Sequence, residues 1–157
     1  MTATGQKLTD EYGAFPPDIG NAIYSYRGYE VLLSIAENYA AAGNFSDAVN
    51  ILKDAVVQME KTPPQKDYLQ YTAYNALGLG LFNLGDIKSA INSIETSIKI
   101  APSQPNLDVS YANLGMLYFK QGDNMKAQYA IDKALTINPN NTSALDYQKK
   151  LEGSLGR

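Results

Sequence analysis

From residue 29 to residue 141 the apolar positions return at three- and four-residue intervals, the period of helices that bury one face. In the clearest stretch they are Tyr111, Leu114, Gly115 and Tyr118, then Ala127, Ile131 and Ala134, with Pro139 closing the run. Between the two halves stands Gly122-Asp123. A glycine after an apolar-periodic helix supplies the left-handed residue that ends it, and the Asp that follows is a good N-cap for the next helix. The dipeptide therefore reads as a tight joint between two antiparallel helices.

The same arrangement occurs twice more. Gly85-Asp86 is preceded by Tyr74, Leu77, Gly78 and Leu81 and followed by Ala90, Ile94, Ser97 and Pro102. Gly43-Asn44 is preceded by Leu32, Ile35, Ala36 and Tyr39 and followed by Ala48, Leu52 and Ala55. The spacing within each set is the same. Gly78 and Gly115 stand inside helical runs, where glycine costs about 1 kcal/mol relative to alanine. They mark places where two helices cross too closely for a side chain, with Ala36 the next smallest solution. Gly80 adds a second interior glycine to one helix, explained at this level only by another close approach.

Three copies in register resemble the tetratricopeptide repeat, whose signature is an aromatic residue, Leu-Gly, an aromatic, Ala, a large apolar residue, Ala and Pro. The resemblance covers roughly residues 29 to 141. It implies an all-α fold, a right-handed α–α superhelix of three antiparallel helix pairs with a C-terminal capping helix. The expected layout is an N-terminal arm over residues 1–20, three repeats within 21–141 (about 29–62, 71–104 and 108–141), and a cap with its tail over 142–157. The joints lie 42 and 37 residues apart, against about 34 in the commonest form of the repeat. The extra residues fall in "KTPPQKDY" and "APSQPNLD", where prolines stop helices. The longer spacing is similar to that of the variant repeats of kinesin light chains and bacterial regulators. The first helix is expected to begin near Asn21, and Leu145 and Leu151 are the expected anchors of the cap.

Composition removes several classes of function. There is no Cys and no His, so disulfides, thiol nucleophiles and Cys/His zinc sites are excluded, along with the usual proton shuttle. The net charge of -3 and the lack of any Lys/Arg run argue against a nucleic-acid partner. No apolar stretch reaches the ~20 residues of a membrane span, and Met1 to Gly20 lacks the apolar core of a signal peptide. No cofactor or metal is expected. Carboxylates such as Glu30, Glu37 and Asp108 have no nucleophile or metal-ligating partner in the pattern and read as solvated helix surface. The 12 tyrosines read mainly as half-buried helix residues. Asn44, Asn140 and Asn141 open glycosylation triplets, which matter only in a secreted eukaryotic protein.

Stacked pairs of this kind curve so that their first helices line a concave groove. By helical spacing the residues facing it are Leu33, Glu37, Asn75, Leu79, Phe82, Asn83, Ala112, Asn113, Met116, Phe119 and Lys120. Leu79, Phe82, Met116 and Phe119 suit apolar side chains of a peptide or helix, while Asn75, Asn83 and Asn113 suit its backbone. Some tetratricopeptide domains hold an acidic chaperone tail in a clamp of Lys, Asn and Arg. The clamp positions fall here on Leu33, Glu37, Ala76, Val109 and Asn113, none of which carries the required side chain. The reading is a non-enzymatic scaffold, adaptor or assembly factor that binds a protein or peptide partner. The alternative is a self-assembling module whose groove or N-terminal arm makes a homo-oligomer.

Overall fold

The computed structural model describes residues 26–61, 63–64 and 67–156, with side chains from Gly28 onward. The expected arm and the helix start near Asn21 lie outside the described residues. Among the described residues are seven helices: α1 (Tyr26–Ala41), α2 (Phe45–Lys61), α3 (Asp67–Asn83), α4 (Ile87–Ile100), α5 (Leu107–Gln121), α6 (Asn124–Ile137) and α7 (Thr142–Ser154). They pack as α1 on α2, α3 on α4 and α5 on α6, with α7 laid across the last pair. No helix among them is long and apolar enough to cross a membrane.

Each joint is built the same way. Gly43, Gly85 and Gly122 have φ of 79°, 85° and 86°, a conformation in which only glycine avoids a steric penalty. At the third joint the Gly122 N–H donates to the Phe119 carbonyl (3.1 Å) and the Asp123 N–H to the Tyr118 carbonyl (2.9 Å). These bonds use up carbonyls that the helix end leaves without partners. The next helix is capped at once: Asp123 accepts from the Lys126 N–H and Asp86 from the Ser89 N–H, each at 3.1 Å.

Within a pair the helices cross with a glycine of one set against an isoleucine of the other. A Cβ on Gly78 would lie 2.6 Å from Ile94 Cγ1 and 3.1 Å from the Ala90 carbonyl oxygen; on Gly115 it would lie 2.8 Å from Ile131 Cγ1. Gly80 faces the other way, toward the preceding pair, where a Cβ would meet Val49 Cγ2 at 2.7 Å. So α3 is approached closely on two sides, which accounts for its second glycine. Leu77, Leu81, Ile94, Leu114, Tyr118 and Ile131 are buried around these crossings in one apolar core running through all the pairs. A smaller cluster of Tyr71, Ala101 and Leu107 sits under the α4–α5 connection. The longer spacing between pairs therefore has packing of its own.

The cap corrects one expectation. Leu151 is buried, but Leu145 is exposed, and Ala144 is the second anchor. The Asn141 side chain accepts from the Ala144 N–H at 2.9 Å, which fixes the phase of α7. Ala144, Tyr147 and Leu151 then face the last pair, leaving Lys149 and Glu152 in water.

Gly115→Leu should destabilise the fold more than Gly122→Ala. The first forces a side chain into a crossing with no room, where overpacking costs roughly 1–3 kcal/mol or more. The second strains a left-handed joint, at about 1 kcal/mol. Urea melts compare them, and equal midpoints would contradict the packing described.

Candidate functional site

The first helix of each pair and α7 make the inner face. On that side α1 meets α3 directly and α5 meets α7, while α3 and α5 are joined by side-chain hydrogen bonds from Tyr71 and Asn75. Positions on α3 return on α5 after 37 residues: Leu79 with Met116, Phe82 with Phe119, Asn83 with Lys120, and Asn75 with Ala112. Leu79 is 37% exposed. Phe82, Met116 and Phe119 are half-buried and rest on the core with part of each side chain open. The Phe119 ring meets Tyr147 of the cap edge-on, centroids 5.9 Å apart. Glu37, Asn83 and Lys120 are exposed, and Asn83 donates to its own helix at the Leu79 carbonyl (2.8 Å). Asn113 is half-buried.

Leu33, Asn75 and Ala112 do not lie open in the groove. Leu33 is 6% exposed and Ala112 2%. The three share one helical register, and the bonds of Asn75 show what that register faces. Its Nδ2 donates to the Tyr71 carbonyl (3.1 Å) and to Ser97 Oγ (2.9 Å), and its Oδ1 accepts from Ser110 Oγ (2.8 Å) on the next pair. The Tyr71 hydroxyl closes the network, 2.7 Å from Ser110 Oγ and donating to the Asn106 carbonyl at 3.0 Å. Asn75 is therefore a tie between α3, α4 and α5 rather than a free reader of a peptide backbone. Burial raises the Tyr71 pKa against its hydrogen bonds to Ser110 and Asn75, so the hydroxyl keeps its proton. The signal that marks this network in the sequence is Ser97, a hydroxyl standing where the other copies have Ala55 and Ala134.

Asp108 also departs from expectation. Read as solvated surface, it is only 7% exposed. Its carboxylate accepts from Asn138 Nδ2 (2.9 Å) and Asn141 Nδ2 (2.8 Å), fastening α5 to the α6–α7 joint. Burial pushes the carboxyl pKa up, but the two amides and the local backbone N–H groups outweigh it, and the net shift is downward. Glu30, by contrast, is exposed and accepts from the Tyr68 hydroxyl at 2.8 Å. Other tyrosine hydroxyls donate to carboxylates across helices, Tyr74 to Glu60 and Tyr118 to Glu95. Burial and the adjacent Glu60 carboxylate push the Tyr74 pKa up to about 12. Asn141, buried and capping α7, cannot carry a glycan in this fold.

Residues 71–104 and 109–141 each match a family model of the tetratricopeptide repeat. The chain is a tetratricopeptide repeat protein. Its curated relatives include the uncharacterized protein ycf37 of Pyropia yezoensis, 32% identical over 111 residues that make up 71% of this chain and 53% of that one. The Photosystem I assembly protein Ycf3 of Prochlorococcus marinus is 29% identical over 103 residues, 65% of this chain and 58% of that one. The chain thus spans little more than half the length of these relatives. Among solved structures, the first TPR of Spaghetti (RPAP3) bound to the HSP90 peptide SRMEEVD superposes with a TM-score of 0.71 at 17% identity, covering 85% of this chain and 99% of that one. MamA superposes with a TM-score of 0.69 at 24% identity, covering 99% of this chain and 86% of that one. These likenesses concern the fold. Tetratricopeptide domains are in general non-catalytic modules that bind proteins and peptides.

Two variants separate the structural ties from open surface. Asn75→Ala leaves hydroxyls of Ser97 and Ser110 short of partners and should cost about 1–3 kcal/mol. Asn113→Ala should stay within about 0.5 kcal/mol of the parent; thermal melts of both check this. The Asp108 linkage has a defined sign. A carboxylate whose folded-state pKa is lowered contributes stability that is complete above the unfolded value of about 3.9 and is lost as pH falls through the folded value. Asp108→Asn should therefore be less stable than the parent at pH 7, and the two urea midpoints should converge as the pH falls below about 4. Parallel curves would show that this carboxylate carries no pH-dependent stability.

Proposed function

We propose that the chain is a non-catalytic scaffold that docks an apolar, uncharged segment of a partner protein on its inner face, in the role of an adaptor or assembly factor. The observation that carries this is the repeated placement of Leu79 and Phe82 on α3 and of Met116 and Phe119 on α5. They put partly open apolar side chains at matching positions on the first helices of two successive pairs. A docked helix or extended peptide reads such positions through spaced apolar anchors. The acidic peptide held by the RPAP3 domain is a poor model for the ligand. The corresponding positions here are Leu33, Glu37, Ala76, Val109 and Asn113, which supply no cation, and Glu37 repels a carboxylate. Similarity to a Photosystem I assembly protein supports the assembly role.

A second reading has one observation in its favour. Met125, Tyr129 and Ile137 lie at four- and eight-residue spacing along α6 and are exposed, Met125 at 85%. That stripe on a second helix suits self-association. Light scattering over a concentration series tests it, a rise in mass favouring the homo-oligomer.

Pull-down from the native source supplies the partner, and titration calorimetry then tests the face. Leu79→Ala combined with Met116→Ala should weaken binding about tenfold or more, equivalent to about 1.4 kcal/mol, since a few central anchors dominate such interfaces. Lys133→Glu, on the outer helix α6, should leave binding unchanged. The reverse result would move the function to the outer face.

A further inference from the structure

Where α5 meets the α6–α7 joint, the inner face sinks into a pocket of about 270 Å³. From α5 it is lined by Asp108, Val109 and Asn113, and from the joint and the start of α7 by Asn140, Thr142 and Ser143. The hydrogen-bonding capacity of this lining is divided unevenly. Asp108 is already engaged, with Asn138 and Asn141 both donating to it. The side chains of Asn113, Asn140, Thr142 and Ser143 have no hydrogen-bond partner among the described residues. What remains open is therefore neutral, and every one of these groups can both donate and accept.

That chemistry selects its occupant. A carboxylate entering the pocket would lie near ionised Asp108 and be repelled. An ammonium group has donors only, so it can use the oxygens of this lining but leaves the amide hydrogens of Asn113 and Asn140 unserved, and the Asp108 carboxylate, 7% exposed and held by two amides, is not open to pair with it directly. A carboxamide carries two donors and an acceptor oxygen, so it can exchange its bonds with water for bonds to Asn113 and the α7 hydroxyls. The volume falls just under the roughly 300–1,000 Å³ of sites for drug-sized ligands and suits a single side chain. We propose that this pocket receives an Asn or Gln side chain of the docked partner segment, giving one end of the inner face its specificity. The inference rests on the inner-face reading of function and adds to it the residue type that the partner must present there.

The test uses the isotopically labelled full chain and three small probes: propionamide, propionate and propylammonium. Amide spectra are recorded at matched concentrations of each. Propionamide should shift the Asn113 side-chain signals and the Thr142 and Ser143 backbone signals in a saturable way, with the two charged probes shifting them less. Asn113→Ala, shown to be folded by its melt, should lose the response. An equal or larger response to either charged probe overturns the proposal, as does no saturable response to propionamide or an undiminished response in the variant. Because the titration needs no partner, the two readings fail separately. A silent pocket, with partner binding still lost on changing Leu79 and Met116, overturns the pocket alone. A partner indifferent to those changes overturns the inner-face reading, and with it the assigned occupant.

Discussion

The close approach of Ile94 to Gly78 and of Ile131 to Gly115 is the constraint on which the rest of the molecule depends. With a Cβ at either position, the paired helices would have to separate by several tenths of an ångström to clear Ile94 or Ile131. Ala90 and Ala127 on the opposing helices are fully buried and equally small. The close pair lets Leu77, Leu114, Ile94 and Ile131 interdigitate, and the left-handed joints keep the connection short enough to hold that register. Gly80 extends the same device to the boundary between pairs, where α3 rests against Val49 of α2.

Apolar contact alone does not orient one pair against the next, because hydrophobic burial is non-directional. Two polar networks supply the direction. Tyr71, Asn75, Ser97 and Ser110 join the second pair to the third, and Asp108, Asn138 and Asn141 join the third pair to its cap. Nearly every group in them is matched, the condition under which buried polar groups specify an arrangement instead of weakening it. The shape of the inner face thus depends on a handful of bonds lying just beneath it, while the residues on its surface are free to serve a partner.

The helix pairs, their joints and their crossings were legible in the sequence because local backbone geometry admits few residues: glycine at a positive φ, Asp or Asn at a cap, glycine where two helices touch. The ties between pairs were not. Asn75 and Ser110 stand 35 residues apart, and each taken alone is an ordinary polar position on a helix. Asp108 was missed for the same reason, since its partners Asn138 and Asn141 arrive only when α6 and α7 fold back over α5. Leu33, Asn75 and Ala112 were placed in the groove by periodicity, which gives the face of an isolated helix but not how far the neighbouring pair wraps around its edge. The surface status of Leu79, Asn83 and Lys120 needed no knowledge of the neighbour and was readable from spacing.

The inner face is nearly uncharged: among the positions assigned to it by spacing only Glu37 and Lys120 carry a formal charge, and both are exposed. Such a surface cannot steer a partner from a distance. Encounters on it proceed at the unsteered rate of roughly 10⁵–10⁶ M⁻¹s⁻¹, and added salt has little long-range attraction to screen. Selectivity must therefore come from how long a partner stays, through apolar fit and desolvated hydrogen bonds, rather than from how fast it arrives. A scaffold of this kind holds a client without competing for every charged chain that drifts past.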